Sequence, residues 1–191
     1  SITAFISLVV ILPVFLMFKK IPSIIINSKT VTIALLASVS IIFIFDYLLQ
    51  VDYINHLVFT IFGKSISIYG RQEIYNVYLK ALANDSIIFG HGYNNRLLYM
   101  MSNGTFGNAQ NGLFEQFISY GLFGVFSIVF ITYYCFRNSP SSHITFYLSL
   151  VVYAMIIAAT VEVTINWFFF LGIILVYFSD LSYLLNKKDN M

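Results

Sequence analysis

Long apolar runs alternate with short polar connectors along this chain, and one polar stretch is much longer than the others. The apolar runs occupy residues 2–18, 30–50, 113–136, 144–161 and 163–184. The run 30–50 has 21 residues and one charge, Asp46. As a helix it would cross the ~30 Å of hydrocarbon in a bilayer. The pattern therefore predicts five transmembrane helices, with residues 51–111 as a large loop between the second and the third.

Composition strengthens this interpretation. Of the 191 residues, 59% are hydrophobic and 9% are charged, whereas an ordinary soluble domain has about 25% charged residues. A soluble chain of this length could not hide so much apolar surface in one core. We therefore expect an all-α, polytopic transmembrane helix bundle in the cell (plasma or inner) membrane, with residues 1–191 as a single membrane domain. Because the chain begins at Ser1 inside an apolar run, we expect it to be the C-terminal part of a longer protein.

Charge predicts the topology and excludes some functions. Six basic residues fall on one side of the predicted spans, in short connectors or the tail: Lys19, Lys20, Lys29, Arg137, Lys187 and Lys188. The positive-inside rule makes that side cytoplasmic and the loop 51–111 extracytoplasmic. A net charge of +2 gives no indication of nucleic-acid binding. The three histidines, at 56, 91 and 143, are scattered and there is one cysteine, so no metal-ligand cluster is expected.

The loop contains a second kind of pattern. In residues 72–83 the apolar residues share one face at helical spacing and the polar residues share the other, which predicts an amphipathic helix at the membrane interface. The segment Phe89-Gly-His-Gly-Tyr93 predicts a turn. Gly70 and Arg71 stand directly before the predicted helix.

Arg71 has two interpretations. An arginine fork beside a helix N-terminus suits a phosphate or pyrophosphate group. Spacing alone favours the alternative, a pair with Glu73, Asp52 or a lipid head group. Arg96 alone gives a weaker indication of the same kind, and His91 fits equally well as a turn histidine that faces water.

Three acidic residues lie in or beside the predicted spans near the extracytoplasmic rim: Asp46, Glu115 and Glu162. A carboxylate there is costly unless it faces protein or a wet cavity. Each of them is a candidate general base. A structural role, in which the acid pairs with Lys64, Arg71 or Arg96 and fastens the loop to the bundle, is at least as well supported for each one.

Four motifs carry a resemblance to a known family. They are Gly70-Arg71, Phe89-Gly-His-Gly92, Gln110-Asn-Gly-Leu-Phe-Glu115 and Tyr120-Gly-Leu-Phe-Gly124. In this order between apolar runs, over about residues 68–125, they resemble the C-terminal signature of the O-antigen ligase/polymerase family. One position departs from the pattern, because the family's histidine before Asn111 is Gln110 here. Glutamine cannot act as a base, and ligases of the family rely on that histidine more than polymerases do. The departure therefore favours a polymerase, with His91 as a spatial substitute to be tested.

The resemblance implies glycan transfer outside the cytoplasmic membrane, from a polyprenyl-diphosphate carrier to an acceptor hydroxyl, without metal or other cofactor. Arg71 and Arg96 would hold the carrier phosphates, and Glu115 or another rim acid would take the acceptor proton. His91 is the further catalytic candidate, and Gln110, Asn111 and Glu162 are candidate substrate-binding residues. Implied partners are the lipid-linked glycan, membrane lipid, a flippase and a chain-length regulator protein.

The residues also leave other functional classes open. A transporter or flippase for lipid-linked oligosaccharide would share the spans, the aromatic rims and the arginine, but it should carry charges along a whole pathway. The centres of the five runs carry none. An O-antigen ligase and a non-enzymatic partner in a polysaccharide assembly complex are the remaining alternatives.

Overall fold

A computed structural model of the protein describes residues 22–49, 56, 60, 87–92, 109, 111–160 and 163–179. Five helices account for most of these residues: α1 (Pro22–Ile25), α2 (Ser28–Leu49), α3 (Gly112–Arg137), α4 (His143–Ala158) and α5 (Trp167–Phe178). No strand occurs in the ranges given. The predicted all-α class is therefore confirmed for the part of the chain that the structure describes. The run 2–18 and the helix predicted at 72–83 lie outside it.

Small polar residues begin the helices of this apolar chain. Each accepts a hydrogen bond from a backbone N–H of the first turn, which would otherwise lack a partner. Asn27 accepts from Lys29 at 2.8 Å, Asn111 from Phe114 at 2.8 Å, Ser142 from Thr145 at 3.1 Å and Asn166 from Phe168 at 3.0 Å. The last of these explains why α5 begins at Trp167 although its apolar run begins at 163: Asn166 adopts an extended backbone in order to cap the helix.

Helices that are consecutive in the chain, from α2 to α5, run antiparallel, whereas α3 and α5 lie side by side and parallel. The start of α3 contacts the backbone of Ser38 in α2 and of Ala159 at the end of α4. At the other end of the bundle, the Thr145 hydroxyl in α4 and the Ser179 hydroxyl after α5 are hydrogen-bonded at 2.6 Å. All four helices contribute to one apolar core, which includes Val31, Leu35, Ile128, Val152, Ile156, Phe169, Ile173 and Val176.

The outer surface of the bundle is also apolar. On α3 an outward stripe of aromatic side chains follows the helical spacing, with exposed fractions between 50% and 68%: Phe123, Phe126, Phe130 and Tyr134. Among the described residues one helix, α3, is long and apolar enough to cross a membrane, judged by length and composition. About a third of its apolar stretch is buried, and the other residues of that stretch are partly or fully exposed. Shorter apolar helical stretches are the part Ser28–Ser40 of α2, and the helices α4 and α5.

Adjacent phenylalanines in α5 test the assignment of the core. Phe169 is fully buried and Phe168 is 52% exposed. Replacing Phe169 by alanine should lower the free energy of unfolding by roughly 3–5 kcal/mol, because it removes a buried ring and leaves a cavity. Phe168→Ala removes the same atoms from the surface and should stay within about 0.5 kcal/mol of wild type. Unfolding by SDS titration in mixed micelles measures both. Equal effects of the two substitutions would contradict the packing of α5.

Candidate functional site

The start of α3 is the place where the described structure gathers predicted site residues. Asn111 is fully buried and caps the helix with its side-chain oxygen. Its Nδ2 donates a hydrogen bond to the carbonyl of Ser38 in α2, with a donor–acceptor distance of 3.3 Å. Both ends of this amide are therefore used within the protein, where they fix the position of the α3 N-terminus against α2.

Glu115 lies in the first turn of α3, where the helix dipole favours an acidic side chain. Its Oε2 accepts a hydrogen bond from the backbone N–H of Ala109 at 2.7 Å. The carboxylate thus reaches back over the helix start and holds the incoming chain at a residue that is itself fully buried. This contact fixes the orientation of a half-buried acid.

Two further bonds fasten the same turns to the connection between α4 and α5. The N–H of Gly112 donates to the carbonyl of Ala159 at 2.8 Å, and the side-chain amide of Gln116 donates to the carbonyl of Ile165 at 2.8 Å. A Cβ atom on Gly112 would lie 3.0 Å from side-chain carbons of both Ala159 and Ile165. The start of α3 is consequently held against α2, α4 and the segment that precedes α5.

The second gathering point is a break inside α3. Gly121 has φ 64° and ψ −162°, a conformation that is open almost only to glycine. Residues 87–92 form a turn that contains Phe89–Gly92 of the predicted turn Phe89–Tyr93; Gly90 and Gly92 have φ 70° and 88°. This turn, which we call the glycine turn, packs directly against the break.

The glycine turn replaces the helical hydrogen bonds that the break removes. In a continuous helix the N–H groups of residues 122 and 123 would donate to the carbonyls of residues 118 and 119. Here Leu122 and Phe123 donate instead to the carbonyls of Ile87 and Ile88, at 2.9 and 3.0 Å. The carbonyls of Ile118 and Ser119 accept from the N–H groups of His91 and Gly92, at 2.9 and 2.8 Å. Four hydrogen bonds between α3 and the glycine turn thus replace two hydrogen bonds of a continuous helix.

This exchange requires glycine at both contact points. A Cβ on Gly90 would lie 2.6 Å from the nitrogen of Gly121 and from the carbonyl oxygen of Ile118. A Cβ on Gly121 would collide with the carbonyl of Ile88 and lie 2.6 Å from that of Ile87. The obstructing atoms belong to the backbone and cannot rotate away.

The glycine turn also brings the backbone of His91 to the turn of α3 that follows Glu115. Its backbone bonds Ile118, which is three residues after Glu115 and rises about 4.5 Å further along the helix axis. The imidazole Nε2 is buried and has no hydrogen-bond partner in the described part of the chain. A buried polar atom is costly to leave without a partner.

The remaining predicted site residues, Arg71, Arg96, Gln110 and Glu162, lie outside the described residues, and so does the side chain of Asp46. Their approach to Glu115 and His91 stays a prediction. Sequence reasoning missed the role of Ser38, whose backbone carbonyl is the partner of Asn111, and of the break at Gly121. A glycine at 121, within a motif that follows another glycine motif by about 30 residues, was the available signal.

No three histidine, cysteine, aspartate or glutamate side chains within the described ranges are close enough together to hold a metal ion. The chain matches no protein-family model, no curated protein and no solved structure at a significant level. Function must therefore be argued from the residues of the site.

Three glycine-to-alanine substitutions separate backbone strain from close approach. Gly92 has positive φ, but nothing lies within 4 Å of the position that a Cβ atom would take there, so Gly92→Ala should cost about 1–2 kcal/mol from the backbone alone. Gly90→Ala and Gly121→Ala add a clash with backbone and should cost roughly 2 kcal/mol more. Thermal unfolding of the purified variants, with amide exchange at Leu122 and Phe123, measures both effects.

Undocking of the glycine turn should speed exchange at these two amides in the Gly90 and Gly121 variants and leave it slow in Gly92→Ala. If Gly90→Ala and Gly92→Ala behave alike, the four-bond exchange does not hold the turn.

Proposed function

We propose that this protein is a multi-pass membrane enzyme that polymerises lipid-linked oligosaccharide repeat units into a surface polysaccharide such as O-antigen, capsule or exopolysaccharide. One observation carries the proposal. The two glycine motifs of the family resemblance, which are separated by about 30 residues, meet at the break in α3 and bring His91 to the turn that follows Glu115. This meeting gives a physical reason for those motifs to occur together.

In the proposed reaction the acceptor hydroxyl oxygen attacks the sugar carbon that is bonded to the carrier diphosphate. The bond from that carbon to the diphosphate oxygen breaks, and the diphosphate leaves with the electron pair. Glu115 takes the hydroxyl proton. Its Oε2 is held by Ala109, so the carboxylate is already oriented before substrate binds. Arg71 and Arg96 stabilise the negative charge that develops on the leaving group.

His91 and Asn111 have different roles in this proposal. The buried Nε2 of His91, which has no partner among the described residues, hydrogen-bonds an oxygen of the acceptor or of the carrier. Asn111 acts by positioning, because it is fully buried and both ends of its amide are bonded within the protein. We therefore replace the substrate-binding role expected for Asn111 with one of holding Glu115 in place. Gln110 and Glu162 remain proposed contacts to the glycan.

Location in the membrane is part of the proposal. It is supported by the length of α3, by the outward aromatic stripe on that helix and by the basic residues that lie on one side of the predicted spans. On that topology the start of α3 faces the extracytoplasmic side, where lipid-linked repeat units are polymerised in the family that the motifs resemble.

A transporter of lipid-linked oligosaccharide is the second candidate. It is favoured by two buried hydroxyls inside the bundle, Thr132 in α3 and Tyr153 in α4, which have no hydrogen-bond partner in the described part of the chain. Polar groups of this kind occur along substrate pathways. An assay of polymer formation from purified lipid-linked repeat units in detergent distinguishes the two functions, because a transporter makes no polymer.

Two substitutions of Glu115 distinguish a general base from a residue that only holds the backbone of Ala109. Glu115→Gln keeps an oxygen that can accept from Ala109 but cannot take a proton. Glu115→Ala loses both properties. If Glu115 is the base, the glutamine variant should lose 10²–10⁴-fold in turnover with little change in carrier binding. Polymer made per unit of purified enzyme, at limiting enzyme, measures this effect. If the glutamine variant has normal turnover and the alanine variant is defective, Glu115 has only the structural role of holding Ala109.

Arg71 tests the proposed diphosphate site. Lysine keeps the charge and loses the two-pronged geometry that holds phosphate oxygens. We expect Arg71→Lys to reduce polymer formation sharply and Arg71→Ala nearly to abolish it, while both proteins still accumulate in the membrane. Lys80→Ala removes a cation from the adjacent predicted helix and serves as the matched control. Normal activity in Arg71→Lys, with substantial activity in Arg71→Ala, would leave only a surface ion pair worth at most about 1 kcal/mol.

A further inference from the structure

A polar cavity of about 480 Å³ lies at the end of the bundle away from Glu115, between the start of α2 and the end of α3. Two cationic side chains line it, Lys29 from the first turn of α2 and Arg137 from the last turn of α3. Four serines and Asn27 supply further polar groups. The cavity thus lies where the start of α2 meets the end of the antiparallel helix α3, and it is not formed by one loop alone.

The electrostatic character of the cavity is one-sided. Neither an aspartate nor a glutamate is among its described lining residues, and the first turn of α2 has no acidic residue. Lys29 stands at a helix N-terminus, where the helix dipole already contributes partial positive charge. A cation in that position is mildly disfavoured, and a nearby anion would offset this cost. The two side chains and the helix end therefore act together on anything that enters the cavity.

Arg137 lies beside an aromatic ring. Its guanidinium carbon is 6.0 Å from the centre of the Tyr133 ring, at the limit of a cation–π contact. Its position in the last turn of α3 is also favoured by the dipole of that helix. A planar guanidinium can bind two oxygens of a phosphate group at once.

The floor of the cavity is apolar. Ile26 and Phe136 both line it and are only 9% and 2% exposed. Beside it α3 exposes Tyr134 and Phe130, whose rings stack on each other with centroids 6.3 Å apart. A basic rim next to an apolar surface suits a molecule with an anionic group at one end and hydrocarbon at the other. A free anion would use only the rim.

We propose that this cavity binds the phosphate group of an anionic phospholipid, with Lys29 and Arg137 as its ligands and the exposed face of α3 against the acyl chains. On the predicted topology the cavity lies at the cytoplasmic side. The proposal rests on the membrane location proposed above but not on glycan transfer, so it can fail or hold without regard to the activity at Glu115.

Lipid-dependent unfolding of the detergent-purified protein tests the site. Phosphatidylglycerol and phosphatidylcholine with identical acyl chains are titrated separately, and the midpoint of thermal unfolding is followed. The double variant Lys29→Gln/Arg137→Gln removes both ligands, and Lys187→Gln/Lys188→Gln removes the same charge from the C-terminal tail. We expect phosphatidylglycerol to raise the midpoint of wild type and of the tail variant more than phosphatidylcholine does. In the double variant the apparent affinity for phosphatidylglycerol should fall about 25-fold, which is about fivefold for each lost cation.

Control measurements distinguish a lipid site from a site for free anions. Inorganic phosphate at millimolar concentration should not reproduce the stabilisation; if it does, the site takes a free anion and the lipid assignment is wrong. Equal responses to the two lipids, or equal loss in the tail variant, would overturn the proposal as well. Lys29 and Arg137 are exposed, so their loss should leave the fold intact. Should the double variant misfold, each single substitution carries the test with an expected loss of about fivefold.

Discussion

The described structure depends on the exchange of backbone hydrogen bonds between the glycine turn and the broken helix α3. In an apolar environment a helix cannot simply stop bonding at an internal residue, because each unpaired N–H or carbonyl costs free energy. Gly121 leaves two donors and two acceptors of this kind, and residues 87–92 satisfy all four. The break and the turn therefore stabilise each other.

The stretch of α3 between its start and this break is short and fixed at both ends. At one end Asn111, Gly112 and Gln116 bond three neighbouring parts of the fold. At the other end the glycine turn supplies the hydrogen bonds that the helix loses at the break. Glu115 lies within the first attachment, and Ile118, whose carbonyl accepts from His91, belongs to the second. Groups that must meet a substrate in a defined geometry are best carried by backbone that is held on both sides, and this stretch meets that condition better than any loop tip could.

The sequence predicted the helices well where apolar runs are long, and less well where tertiary contacts decide. The turn at Phe89–Tyr93 was expected from its glycines and is confirmed over residues 89–92. That it would pack on Gly121 was not predicted, because glycine signals conformational freedom and not the partner that approaches it. The onset of α5 at Trp167 was missed since hydropathy runs through Asn166 without showing that its side chain caps the helix. Glu115 was identified by its position near the rim, but its bond to Ala109 depends on how the preceding chain turns back.

Polar groups are scarce in this protein, and the two ends of the bundle use them in opposite ways. Near Glu115 the side chains of Asn111, Glu115 and Gln116 are bonded to backbone groups, so they give rigidity, and one buried imidazole nitrogen has no hydrogen-bond partner among the described residues. Near Arg137 two cations share a cavity whose described lining contains no acidic residue, so the positive charge there is not balanced by the lining. A rigid end with one unused polar atom suits the selective binding of a reacting group, whereas an end with excess positive charge suits attachment to an anionic surface. Because α3 runs from one end to the other, with its break between them, attachment at Arg137 would also fix the height of Glu115 relative to the membrane. The two proposed sites thus lie toward opposite ends of one helix, whose length sets the distance between them.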